Sequence, residues 1–81
     1  MTSANKKVIN KWINTFKLQE WQISCEFSDE LEDFEDGKCF IDPVNLMAIV
    51  LIDKKAEFEE VIIHEFLHIM LADMIYKRIL N

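Results

Sequence analysis

The fold of this chain is decided by the stretch VIIHEFLHIM, residues 61–70. Its apolar side chains occupy almost every side of a helix, and the pattern extends from about residue 56 to residue 80. Acidic residues precede the stretch at Glu57, Glu59 and Glu60, where carboxylates favour the positive end of the helix dipole. A helix that is apolar on nearly all sides is buried in its domain or against a partner. The sequence therefore predicts a long C-terminal helix on which the rest of the domain packs.

The segments upstream of this helix predict a small sheet and one further helix. Residues 3–17 form an amphipathic pattern, residues 21–27 alternate strictly between apolar and polar, and residues 47–52 are a continuous apolar run. We interpret the last run as a strand buried on both faces. Residues 38–42 predict a short strand that lies between the other two in the sequence. The chain is thus predicted to be a single α+β domain over residues 1–81, with an N-terminal covering helix, a two- to three-stranded sheet and the long C-terminal helix.

The net charge of the chain comes from one local segment. Nine Lys and Arg residues stand against fifteen Asp and Glu residues, which gives a formal charge of −6. Six of the acids lie in the acidic loop at 29–36, namely Asp29, Glu30, Glu32, Asp33, Glu35 and Asp36. Because no cluster of Lys and Arg is available to neutralise phosphates, we expect no direct binding to nucleic acid. We interpret the loop as a solvated hairpin loop; steering of a basic partner is an alternative, and a calcium loop lacks the required D-x-D-x-D-G spacing.

The sequence also bears on the compartment of the protein. The apolar runs are far shorter than the ~20 residues of a membrane-spanning helix, and the N-terminal residues do not form a signal peptide. Cys25 and Cys39 are too few for a disulfide scaffold. We therefore expect a cytoplasmic protein without a membrane segment. The two cysteines are interpreted as small buried apolar residues, with a position opposite each other across a hairpin as the alternative.

The predicted C-terminal helix carries the pattern H-E-x-x-H. His64 and His68 are four residues apart, so both imidazoles lie on one helical face. Zinc accepts two such nitrogens in a tetrahedral set that keeps one position for water. Glu65 lies about 100° further round the helix, close enough to take the proton of that water as general base. The pattern is a metalloprotease signature, and it predicts His64 and His68 as metal ligands of Zn²⁺ and Glu65 as the catalytic base.

The stretch at 61–70 resembles the active-site helix of the zincin metallopeptidases. The resemblance is closest to very small gluzincin-type domains of bacteria and phages, and Trp21-Gln-Ile23 is similar to a strand in their N-terminal half. It spans roughly residues 8–72, and its specific part is His64 to His68. The resemblance implies a zinc-dependent hydrolase that cleaves peptide bonds through a zinc-bound water. It also implies that a strand lining the cleft holds an extended peptide by main-chain pairing, and residues 47–52 occupy the matching place.

The third zinc ligand is absent from the positions where zincins carry it. No Glu follows His68, and the metzincin positions hold Leu71 and Met74. Asp73 lies on a different side of the helix from the two histidines. Four explanations stay open: a longer natural chain, a ligand from a second chain, an upstream ligand, or a fold with degraded catalysis. The upstream candidates are Glu26, Asp42, Asp53, Cys25 and Cys39.

Two other function classes fit the same residues. The first is a catalytically incomplete zincin-like binding or inhibitor protein, such as a mobile element would encode against a host factor. It would act on a protein partner through the acidic loop and the apolar C-terminal helix, and that helix would also allow a homo-oligomer. The second is an α+β interaction domain in which the motif is a coincidence.

Overall fold

The computed structural model describes residues 1–32 and 34–80. The elements follow in the order α1 (Ser3–Thr15), β1 (Gln22–Ser28), β2 (Gly37–Asp42), β3 (Met47–Asp53) and α2 (Phe58–Leu80). The predicted α+β arrangement of an N-terminal helix, a small sheet and a long C-terminal helix is confirmed.

The helix boundaries follow from local hydrogen bonds and backbone angles. The Thr2 hydroxyl accepts a hydrogen bond from the Asn5 N–H at 3.1 Å, which caps the start of α1. Lys17 has a φ of 58°, a left-handed conformation that ends the helical path before the predicted residue 17. The Glu57 carboxylate accepts from the Glu60 N–H at 2.7 Å, so α2 begins at Phe58 and not at about residue 56.

The sheet has the order β1-β3-β2, with β1 parallel and β2 antiparallel to β3. The most apolar strand thus takes the centre, where both of its edges are hydrogen-bonded. The strands on either side of the acidic loop are not neighbours, so the prediction that 29–36 is a hairpin loop is wrong. It connects the two outer strands instead, and Asp33 lies outside the described residues.

The hairpin of this sheet joins β2 to β3. The Asp42 carboxylate accepts hydrogen bonds from the backbone N–H groups of Val44 and Asn45 at 3.1 and 3.2 Å. The turn ends at Leu46, which has a φ of 53°. Asp side chains commonly accept hydrogen bonds from backbone N–H groups at turns, and Asp42 does so at the end of β2.

In the described part of the chain, one face of the sheet is covered by the helices and the other is exposed. Ala48, Val50 and Ile52 are buried, whereas Met47 and Ile49, which point the other way, are 49% and 46% exposed. The prediction that this strand is buried on both faces is therefore wrong. The reason is that α2 packs against β2 and β3 and α1 packs against α2, so both helices lie over the same face.

The core lies between that face and α2. Its members are Leu18, Trp21, Ala48, Val50, Ile52, Val61, Ile62, Phe66 and Ile69. The indole N–H of Trp12 on α1 donates to the Glu59 carboxylate on α2 at 2.8 Å, which joins the two helices at the start of α2. Neither helix in the described ranges is long and apolar enough to span a membrane.

Candidate metal centre

One turn of α2 brings the two histidines of the motif side by side, with their ring planes at 80° to each other. The Nε2 atoms of His64 and His68 are 3.2 Å apart, and the ring centroids are 4.7 Å apart. Two nitrogens bound to one tetrahedral zinc at 2.0–2.1 Å are separated by about 3.3 Å. Both imidazoles are solvent-exposed. The spacing therefore matches that of two ligands of a single ion, and water can reach it.

Glu65 lies beside this pair but is buried. Only 6% of the residue is exposed, and its Oε2 is 3.9 Å from His64 Nε2. Ligand atoms of His64, Glu65 and His68 all lie within 4.8 Å of one another. In the described ranges, no other set of three or more His, Cys, Asp or Glu residues is gathered so closely. The three motif residues thus form the candidate metal centre that the sequence predicts.

The cleft beside the Glu65 side chain is lined by the Cys39 thiol and by both histidines. Burial and the neighbouring Glu65 carboxylate raise the pKa of the Cys39 thiol to about 12. The thiol therefore stays neutral, and its Sγ also lies 4.0 Å from the Glu65 backbone oxygen. A buried carboxylate is stable only with a partner of opposite charge or with hydrogen-bond donors. Two converging imidazoles beside such a carboxylate fit a divalent cation such as zinc.

The centre lies in a groove between α2 and β2. On one side of His64 the groove is lined by Phe34, Glu35, Asp36, Glu57 and Glu60. On the other side Lys38, Cys39 and Ile41 face the three motif residues. Within the described residues β2 pairs only with β3, so its other edge is free beside the groove. The strand lining the cleft is therefore β2, and the expectation that residues 47–52 hold this place is wrong because they form the central strand.

Gly37 permits the close approach of β2 to the motif. A Cβ atom added there would overlap Val61 Cγ1 and would lie 3.4 Å from Glu65 Cγ. The single glycine of the chain thus lets the start of β2 contact the turn of α2 that carries Glu65. A larger residue would push the strand away from the metal centre.

The five upstream candidates for a third ligand differ in their position relative to the groove. Glu26 is exposed on the face of β1 opposite to the helices. Asp42 is held by the turn that follows β2, and the Asp53 carboxylate accepts from the Lys55 N–H at 2.8 Å. Cys25 faces the helices but lies on β1, across β3 from the groove. Cys39 alone lines the groove together with both histidines.

The two cysteines do not face each other. Both are paired in register with Val50, Cys25 from one side and Cys39 from the other. Two strand spacings of about 4.8 Å therefore separate them, and the hairpin alternative is wrong. Both are free and half-buried, as the interpretation of small buried residues predicts.

Some groove residues were not foreseen from the sequence. Glu35, Asp36, Glu57 and Glu60 all lie beside His64. Glu60 carries a readable signal, because it precedes His64 by four residues and must share its helix face. The positions of Glu35 and Asp36 depend on the strand order, which no local pattern reveals. Asp73 is paired with Lys77 at 3.0 Å and is not part of the centre.

Comparison of the chain with protein-family models, with curated proteins and with solved structures finds no match. The function must be inferred from the chemistry of the groove.

Proposed function

We propose that this protein is a zinc-dependent metallopeptidase-like hydrolase, similar to the small gluzincin-type zincins. The observation that carries the proposal is the separation of 3.2 Å between the Nε2 atoms of His64 and His68, with the buried Glu65 carboxylate 3.9 Å from the first of them. This is the donor set and spacing that one zinc ion requires from a helix.

Each motif residue has a distinct role in the proposal. His64 and His68 hold the ion, which when bound polarises a carbonyl and activates water. Glu65 accepts the proton of the attacking water and passes it to the departing amine. Its burial holds the carboxylate on one side of the groove, where it faces the reacting atoms.

The proposed substrate is an extended peptide or a protein segment. The free edge of β2 runs along the groove, and Gly37, Cys39 and Ile41 of that strand line it together with the histidines. An extended chain can add to such an edge through main-chain hydrogen bonds, with side chains alternating into and out of the groove. Binding by this edge would place a peptide bond beside Glu65.

We place the protein in the cytoplasm. Cys25 and Cys39 are free and lie across β3 from each other, which suits a reducing compartment. The resemblance to short metallopeptidase-like proteins of bacteria and phages suggests a phage or another mobile element as the source.

The proposal is tested by hydrolysis of a fluorescence-quenched peptide library by the zinc-loaded protein. Glu65→Gln should lower turnover by about 10²-fold or more while the zinc content stays unchanged. Glu26→Gln, which removes an exposed carboxylate from the far side of β1, is the matched control and should keep full turnover. Equal turnover of the wild type and Glu65→Gln would refute the role of Glu65. A wild-type protein that binds zinc and cleaves no peptide would favour the binding function described next.

A second candidate function, a binding or inhibitor protein, is favoured by one surface. The C-terminal part of α2 exposes an apolar stripe formed by Leu67, Leu71, Met74, Ile75 and Ile79, whose exposures range from 40% to 76%. A protein partner or a second copy of the chain would cover such a stripe. Ile75→Lys with Ile79→Lys should then abolish partner binding or self-association in sedimentation experiments. Glu65→Gln should leave both unchanged.

A further inference from the structure

We infer that Cys39 is the third protein ligand of the metal, so that the centre is held by His64, His68 and Cys39. This inference rests on the proposed function, because it completes the same metal centre. It goes beyond the zincin pattern, in which the third ligand follows the motif along the chain. Here the ligand comes from β2, which precedes the motif in sequence and lies beside it in space.

The position of Cys39 in the groove is the first support. The cleft beside β2 is lined by both histidines and by Glu65. Among the described residues that line it, Cys39 is the one further residue with a side chain that commonly binds zinc. The Cys39 side chain points towards α2, since its Sγ lies 4.0 Å from the Glu65 backbone oxygen. It is outside the set of ligand atoms within 4.8 Å of one another. A change of the single side-chain angle χ1 is the motion that a cysteine has available to approach an ion.

The acidic residues of the groove are less suitable. Glu35, Asp36, Glu57 and Glu60 line the cleft on the other side of His64, and His68 does not line that cleft. A third ligand must face both histidines. Cys39 shares a cleft with both, whereas the four acidic residues do not line that cleft. The Glu57 carboxylate is also engaged as the acceptor of the Glu60 N–H.

The charge balance of the groove supports a cation at the histidines, where Cys39 would bind it. The Glu65 side chain is more than nine-tenths buried, and the described residues place no Lys or Arg in an ion pair with it. The Cys39 side chain and the histidine pair lie beside it. A divalent ion at the histidines supplies the missing positive charge. The same charge favours the thiolate, since a thiol that binds zinc releases its proton to solvent and bonds through sulfur.

Cobalt spectroscopy tests the sulfur ligand directly. Metal-free protein is titrated with Co²⁺, because a thiolate bound to cobalt gives a sulfur-to-metal charge-transfer band in the near ultraviolet that nitrogen and oxygen ligands do not give. We expect the band in the wild type and its loss in Cys39→Ser, with cobalt affinity at least about 10-fold weaker. Cys25→Ser is the matched control, since Cys25 has the same register position on the other side of β3, and it should keep both the band and the affinity.

A second measurement on the wild type avoids any effect of substitutions on folding. Zinc should protect Cys39, and not Cys25, from alkylation, as measured by mass spectrometry of the two cysteine-containing peptides. Stoichiometric cobalt binding without the charge-transfer band, or a band that persists in Cys39→Ser, would overturn the inference and leave the proposed function standing. A wild-type protein that binds no cobalt and no zinc would overturn both.

Discussion

At the scale of single residues, Glu65 is the most informative side chain. It is the one charged residue in the described ranges that belongs to the buried set, and it lies where a cation would compensate it. A buried carboxylate without such compensation lowers the stability of the fold. We therefore expect Glu65, which the proposed chemistry requires, to destabilise the metal-free fold.

This leads to a prediction about stability. In metal-free protein, Glu65→Gln should raise the free energy of unfolding, by about 1 kcal/mol, because the amide is similar in shape and carries no charge. Urea unfolding in the presence of a chelator measures it, and Glu26→Gln should leave the value unchanged. A clear loss of stability in Glu65→Gln would mean that the carboxylate already has a favourable partner.

A second residue-scale prediction concerns Cys25. Burial raises the pKa of its thiol from 9.0 to about 11. Between these two pKa values the unfolded chain loses the thiol proton while the folded chain keeps it. The contribution of Cys25 to stability is therefore full below pH 9.0 and decreases as the pH rises towards about 11. The difference in unfolding free energy between the wild type and Cys25→Ala should therefore shrink from about pH 8 to about pH 10. A difference that stays constant over this range, under reducing and metal-free conditions, would contradict the buried position of the thiol.

At the level of elements, adjacent residues of α2 differ in their exposure to solvent. Phe66 is fully buried in the core, whereas Leu67, about 100° further round the helix, is 40% exposed. Both lie between the two histidines. The same turn of helix therefore supports the core and presents the two histidines of the candidate metal centre to solvent.

The two positions should respond differently to truncation. Phe66→Ala should lower the free energy of unfolding by about 3–5 kcal/mol, because it leaves a cavity in a small core. Leu67→Ala, the matched control one residue away, should lower it by less than about 1 kcal/mol, since much of its side chain already contacts water. Chemical denaturation of both variants measures the contrast. Similar losses in the two variants would mean that α2 is rotated relative to the arrangement described above.

The elements themselves could be predicted from the sequence, because each rests on a local pattern. The alternation after Trp21 gives β1, and the apolar run that ends at Ile52 gives β3. The period of α2 places His64 and His68 on one face. The exposed face of β3 could not be predicted, since a run of apolar residues does not tell which side the helices cover. Met47 and Ile49 are exposed because both helices pack on the other face.

At the scale of the whole molecule, the strand order decides the site. Placing β3 between β1 and β2 separates Cys25 from the groove and brings Cys39 into it. It also leaves the edge of β2 free beside the histidines. The sequence offered five upstream residues as candidate third ligands and did not distinguish among them. The pairing of β2 with β3 is what distinguishes Cys39 from the other four, and no local spacing in the sequence encodes that pairing.

Calorimetric titration of metal-free protein with Zn²⁺ measures whether His64 and His68 hold one zinc ion, as we propose. We predict one zinc per chain for the wild type. His64→Ala should lose this binding, and Glu26→Gln, which changes an exposed residue on the far face of the sheet, should keep it. Failure of the wild type to bind zinc stoichiometrically, or equal binding by His64→Ala, would contradict a zinc site at the two histidines.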